Sequence, residues 1–186
     1  MTEYIVLGLV ILTVFYAIKV YNDLVSGRNS VENAWRQIDV QLKRRLDLIP
    51  NLVETVKGFM AHEKDVLTQV TKARTRAYNA GSRSEAIESN NLLSNATANL
   101  LAVMENYPDI KSQDSVSDLT EELTTTENKV AFARQHYNDV TTSQNNNIQQ
   151  FPSNLIASLF KFALEDLWEL DDTTRKAAQD APKVSF

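Results

Sequence analysis

The hydrophobic positions from Val31 to Ala77 fall on a seven-residue ruler. Val31, Trp35, Ile38, Leu42, Ile49, Leu52, Val56, Phe59, Val66, Val70, Ala73 and Ala77 are apolar on it, and Arg45 and Glu63 are the polar intrusions. Steps alternating between three and four lay one stripe along one helix face. Leu46, Val53, Met60 and Leu67 add a second row, which widens the stripe to the face of a helix in a bundle. The pattern predicts one leading helix from Ser30 to Asn79, about 75 Å long if unbroken. Pro50 cannot donate to the carbonyl of Leu46, yet the register continues through it, so a kink is expected there rather than a break. Gly58 reads either as a tolerated weakness or as a point of close helix approach.

A different pattern precedes this stripe. Residues 4–18 are apolar apart from Gly8 and Thr13, with no polar face. With Val20 and Tyr21 the run reaches about 27 Å as a helix, enough to cross a bilayer core. Lys19 can snorkel to the interface beside Tyr16 and Tyr21. Glu3 and the terminal amine before the run, and Phe15–Lys19 after it, do not match a cleaved signal peptide. The reading is an uncleaved anchor, with the bilayer as partner through residues 4–21. Lys19, Arg28 and Arg36 follow the run and no Lys or Arg precedes it. The positive-inside rule then places the N-terminus outside and the C-terminal domain in the cytoplasm.

Further helices are expected over Arg83–Asn106, Asp114–Gln149 and Phe151–Phe162. Thr126, Gln144 and Asn147 are gaps in the apolar seam of the second of these. Leu164, Leu167, Trp168 and Leu170 are expected to dock, and Asp172–Gln179 to form one or two turns. The fold class is therefore all-α: an N-terminal transmembrane helix, then an antiparallel four-helix bundle with one long leading helix. The expected division is an anchor at 1–21, a juxtamembrane linker at 22–29 and a helical-bundle domain at 30–186. Ser26-Gly27 is only a mild breaker, so the helix can equally run straight through the linker.

Composition narrows the chemistry. A net charge of −5 argues against nucleic acid, whose footprint is a basic stripe. The absence of cysteine excludes disulfides, thiol catalysis and cysteine-ligated zinc. His62-Glu63 lacks the second histidine of a zinc-protease helix, because Val66 stands there. Neither His62 nor His136 has a glutamate three residues earlier, as a di-iron bundle requires. No catalytic set, cofactor, metal or small-molecule substrate is expected. Arg45, Glu63, Arg74, Glu127 and Arg134 are candidates for a structural polar layer fixing helix register, with Arg74 and Glu127 expected to pair. Arg36, Lys43 and Arg44 form the most basic patch, either a solvated face or a contact for a protein partner.

The stretch RN-x-V-x-x-AW-x-QIDVQLKRR-x-DLIPNLVETVKG-x-x-x-HE resembles the signature of the LemA family of bacterial membrane-anchored helical proteins. Tyr107-Pro108, Thr126-Glu127-Asn128, Ala133-Arg134, Tyr137-Asn138-Asp139, Phe151-Pro152-Ser153-Asn154 and the ending Pro182–Phe186 agree with it. The family usually carries a glycine–phenylalanine turn where this chain has Lys161-Phe162. The resemblance implies the helical fold and attachment to the bacterial cytoplasmic membrane. For function, an anchor, a rigid helical rod, a bundle and no catalytic set point to a non-enzymatic scaffold or interaction module, with self-association or a protein partner. The alternative is an accessory subunit of an envelope-stress membrane protease. Relatives in membrane organisation, one of them from magnetosomes, point to the first.

Overall fold

The computed structural model of the chain describes residues 1–111 and 113–169, and these contain helices and no strand. Helix α1 is Thr2–Lys57, α2 Lys64–Tyr78, α3 Arg83–Met104, α4 Pro108–Lys111, α5 Asp114–Gln149 and α6 Ser153–Leu159. The chain divides into two compact units. The first is Met1–Ile38 with Ala133–Leu167, and the second is Asp39–Phe132 with Trp168–Phe186. Leu170 and the turns expected over Asp172–Gln179 lie outside the described residues.

In the first unit, α1 begins with a segment whose apolar side chains from Tyr4 to Ile18 are nearly all exposed. Burial starts only at Val20 and Leu24, which pack with Ile148, Ala157, Ile156 and Phe162. Residues 22–29 are helical and belong to α1; the mild breaker Ser26-Gly27 does not interrupt it. Farther along, the Trp35 and Tyr137 rings meet edge-on at 5.6 Å. Leu24 lies opposite Gln144 and Trp35 opposite Tyr137, so α1 and α5 run antiparallel here.

Gly27 allows that approach. A Cβ at position 27 would lie 1.8 Å from Gln144 Oε1. The Gln144 side chain is buried and its Nε2 donates to the Leu24 carbonyl at 3.0 Å. Gln144 is thus a buried clamp rather than a gap in the seam. Asn145 holds the returning tail as a strand would, donating to the Glu165 carbonyl and accepting from the Glu165 N–H, both at 2.9 Å. Tyr137 donates its hydroxyl to the Asp166 carbonyl at 2.7 Å.

Helix α6 ends in a Schellman turn. The Phe162 N–H reaches the Ala157 carbonyl at 2.9 Å and the Lys161 N–H reaches the Ser158 carbonyl at 3.2 Å. This pattern needs a left-handed residue between them, usually glycine. Lys161 fills that place at φ 57°.

The second unit corrects the leading helix. Helix α1 runs through Pro50 and stops at Lys57, and α2 starts at Lys64. Between them Gly58–Glu63 makes successive tight turns, with Met60 N–H to Val56 O at 3.0 Å and Glu63 N–H to Met60 O at 2.9 Å. The chain folds back, so Leu46 on α1 comes level with Arg74 on α2. Met60 is fully buried at the fold and Phe59 is 45% exposed. The turn therefore swings Phe59 off the stripe that should have buried it.

The core of this unit joins α1, α2, α3 and α5 through Leu52, Val56, Val70, Leu93, Leu100 and Leu123. Thr126 is buried as well, its hydroxyl satisfied by the Glu122 carbonyl at 2.8 Å. Helix α3 is capped by Ser82, whose oxygen accepts from the Glu85 N–H at 3.2 Å. Of the tail, Trp168 buries, and its Nε1 donates to Asn91 Oδ1 at 2.9 Å. Leu164 and Leu167, expected to dock with it, stay exposed.

Candidate functional site

The second unit carries its charge inside. Arg45 stands on the apolar face of α1, where the pattern calls for leucine, and its side chain is 0% exposed. A bare guanidinium at such a place would be expensive, so its donors must be met. Nη1 donates to Ser94 Oγ at 2.7 Å and to both Glu127 oxygens at 2.9 and 3.1 Å. Nη2 donates to the Asn90 carbonyl at 3.3 Å and to Asn90 Oδ1. Nε has no hydrogen-bond acceptor among the described residues. Glu127 remains 29% exposed, so the carboxylate keeps contact with water while the arginine has none.

This cluster ties together α1, α3 and α5 at one level. Arginine suits the task because its planar fork fixes direction, which a lysine ammonium would not. Ser94 and Asn90 were missed in the sequence. Asparagine is a poor helix former, yet Asn90 falls three residues before Leu93 on the inner face of α3. A polar residue among apolar neighbours at helical spacing was the available signal.

Arg74 does not meet Glu127. Its Nε donates to the Leu46 carbonyl at 2.8 Å, and Glu127 is taken by Arg45. The reason lies in Pro50. A proline four residues after Leu46 leaves that carbonyl without its helical donor, and Arg74 supplies one from α2. The substitution keeps α1 helical through Pro50.

Glu63 sits at the end of the fold-back turn and accepts the Tyr107 hydroxyl at 2.9 Å. That hydrogen bond, followed by desolvation and the Glu63 charge, pushes the Tyr107 pKa upward. Arg134 lies in the first unit, apart in the chain's division from the other four polar-layer candidates. The basic residues are largely engaged within the chain. Arg36 pairs with Glu32 at 3.3 Å and Arg44 with Glu122 at 2.7 Å. Lys43 is exposed and forms no ion pair among the described residues. His62 lies in the exposed turn and His136 on the exposed side of α5. Among the described residues, no three His, Asp or Glu side chains gather as metal ligands would.

The arrangement joins helices: among the described residues, the polar contacts of Arg45 and Arg74 run from a charged donor to a carbonyl, an amide, a hydroxyl or a carboxylate on another helix.

Comparison with known proteins agrees with the resemblance. The LemA family model matches residues 34–186. Protein LemA of Metamycoplasma hominis is 24% identical over 147 residues, covering 77% of this chain and 67% of that protein. Magnetosome proteins MamQ 2 and MamQ 1 of Paramagnetospirillum magneticum are each 24% identical over 191 residues, covering 89% of this chain and 68% of theirs.

Proposed function

The chain belongs to the LemA family, and we propose that within it this protein is a membrane-tethered, non-enzymatic interaction module. The family membership makes it a helical, membrane-associated protein. The observation that carries the finer reading is α1 itself. One uninterrupted helix supplies both the exposed apolar segment Tyr4–Ile18 and the buried stripe Ile38–Val56. With the residues up to Tyr21, the start of α1 holds an 18-residue window apolar and long enough to cross a bilayer. The tether thus continues directly into the helix that organises the folded domain. In this reading the N-terminus lies outside the cytoplasmic membrane and the domain inside.

Two relatives are named as magnetosome proteins, which supports a role in membrane organisation rather than in a soluble pathway. Lys43, exposed and without an ion pair among the described residues, is a natural point from which to catch a partner. A photo-crosslinker at Lys43 in the native host should capture membrane-organising proteins or further copies of this chain. One dominant membrane protease in the captured set would replace the module by a protease accessory. Alkaline extraction checks the tether: the full chain should stay with the membrane, and a chain beginning at Ile18 should be released and remain folded. The cut belongs there because Val20 is buried and Tyr21 packs on Phe160 at 4.7 Å. Retention of the shortened chain in the membrane would overturn the tether.

A further inference from the structure

We propose that α6 is a second membrane contact, a short helix lying in the headgroup zone with Phe151, Leu155, Leu159 and Phe160 dipped into the bilayer. The inference rests on the reading of Tyr4–Ile18 as a span and extends it to a distant part of the sequence. Both parts belong to the first unit.

The observation begins with exposure. Helix α6 buries Ala157 inward, yet Phe151 is 79%, Leu155 61%, Leu159 71% and Phe160 55% exposed. Leu155 and Leu159 are four residues apart and share one helix face, and Phe151 precedes Leu155 by the same interval. Single exposed apolar residues are ordinary, whereas a group of large ones marks a contact surface.

The place of the group identifies what covers it. The Phe160 ring lies 4.7 Å from the Tyr21 ring, and Phe162 lies 6.0 Å from it. Val20 and Leu24 share a core with Ile148 and Ala157. The patch is therefore level with Tyr21, the last residue of the apolar run, about 27 Å of helix from its start and so at the edge of the hydrocarbon core. The interfacial layer outside the hydrocarbon core is about 5–8 Å deep on each side, so α6 falls within it. A patch continuous with the lipid-facing surface of a span meets lipid first.

The flanking chemistry agrees. Tyr16 and Tyr21 stand where aromatic side chains mark the interface. Lys19, two residues before Tyr21, and Lys161, next to Phe160, are exposed, and Arg28 lies over the Phe162 ring at 5.5 Å. These cations can meet lipid phosphates while their stems cover apolar surface. Asp23 is exposed on the same stretch of α1 and sits one turn farther from the core of the bilayer than Lys19.

The absence of native cysteine permits a direct test with single-cysteine variants of the full chain. Leu12→Cys, Leu155→Cys, Leu159→Cys and Gln135→Cys would each carry an environment-sensitive fluorophore. The proteins would be reconstituted into phosphatidylethanolamine–phosphatidylglycerol vesicles containing nitroxide lipids, labelled near the headgroup or deep in the chain. The deep nitroxide should quench the Leu12 label, the shallow one the Leu155 and Leu159 labels, and neither the Gln135 label. If the Leu12 label is quenched and both α6 labels are not, the span stands and the α6 contact is overturned. If the Leu12 label escapes quenching, the span itself fails and the α6 contact falls with it. Blue-shifted α6 labels without quenching would mean that a second copy covers the face, which also overturns the proposal.

Discussion

The two units hold their helices together by opposite means. The second unit places a charge at its centre. Arg45 on α1 reaches two further helices, α3 and α5, through ionic and polar hydrogen bonds, and its side chain is fully buried. The first unit uses the absence of a side chain. Gly27 lets α5 come so close that the amide of Gln144 reaches a main-chain carbonyl of α1. A charged clamp is directional and fails badly when one partner is lost. A close approach is neutral and fails when space is filled. The first unit contains the apolar run, beside which an unpaired charge would be hardest to hold, and Gln144 and Asn145 clamp it without charge.

The largest effect is expected at the charged clamp, and it should be lopsided. Glu127→Ala leaves Arg45 fully buried without its counter-ion and should cost about 3–5 kcal/mol. Adding Arg45→Met to that variant removes the stranded charge and supplies an apolar side chain of fair length. The double variant should recover most of the loss, since replacing a whole buried pair is often close to neutral. Urea unfolding of the full chain in detergent measures both. A double variant less stable than Glu127→Ala alone would show that Arg45 contributes packing rather than a buried charge.

The neutral clamp should respond to added volume. Gly27→Ala would drive a methyl group into Gln144, whose side chain is held by the Leu24 carbonyl. Overfilled cores lose about 1–3 kcal/mol. Thermal melts should show the loss for Gly27→Ala and none for Gly8→Ala, because a Cβ at Gly8 meets nothing within 4 Å. Equal melting of both variants would remove the close approach from the account.

The charged side of this contrast was partly legible in the sequence, whereas Gln144 read as a gap and Gly27 as a mild breaker, and these limits have physical causes. The apolar ruler identified Ile38, Leu42, Ile49, Leu52, Val56 and Val70, all of which are buried. It could not show that the chain folds back at Gly58. When two helices of a hairpin face each other, both carry their stripes inward, and a seven-residue register can pass through the turn unbroken. The straight reading then misplaced Phe59 and Met60, because a turn follows different geometry from a helix. It also hid the partner of Pro50. The orphaned Leu46 carbonyl was predictable from proline chemistry, but Arg74 comes near it only after the fold-back. Arg45 stood out as a polar residue on an apolar face, whereas its partners on α3 and α5 needed the tertiary arrangement.

That proline argument gives a smaller and more selective effect. Arg74→Ala should cost about 1 kcal/mol, the low range for a charged donor that keeps some solvent contact. In a Pro50→Ala background the restored N–H can reach the Leu46 carbonyl, and the same change should cost much less. The double-mutant cycle reads that coupling directly. Identical costs in the two backgrounds would mean that Arg74 acts through something other than the proline gap.

The smallest effect carries the opposite sign and lies at the end of α6. Lys161 occupies the left-handed position of the Schellman turn, φ 57°. For a residue with a Cβ that conformation costs about 1–2 kcal/mol. Glycine avoids the cost but loses more chain entropy on folding, which offsets about 0.4–1 kcal/mol. Lys161→Gly should therefore raise stability by roughly 0.5–1 kcal/mol. It would also restore the glycine–phenylalanine pair usual in the family. Lys161→Ala separates backbone from charge, because alanine keeps the Cβ and removes the ammonium. If the left-handed backbone is the cause, only the glycine variant melts higher. If alanine raises the midpoint as much as glycine does, the gain comes from removing the cation, and the turn of the first unit is not strained at Lys161.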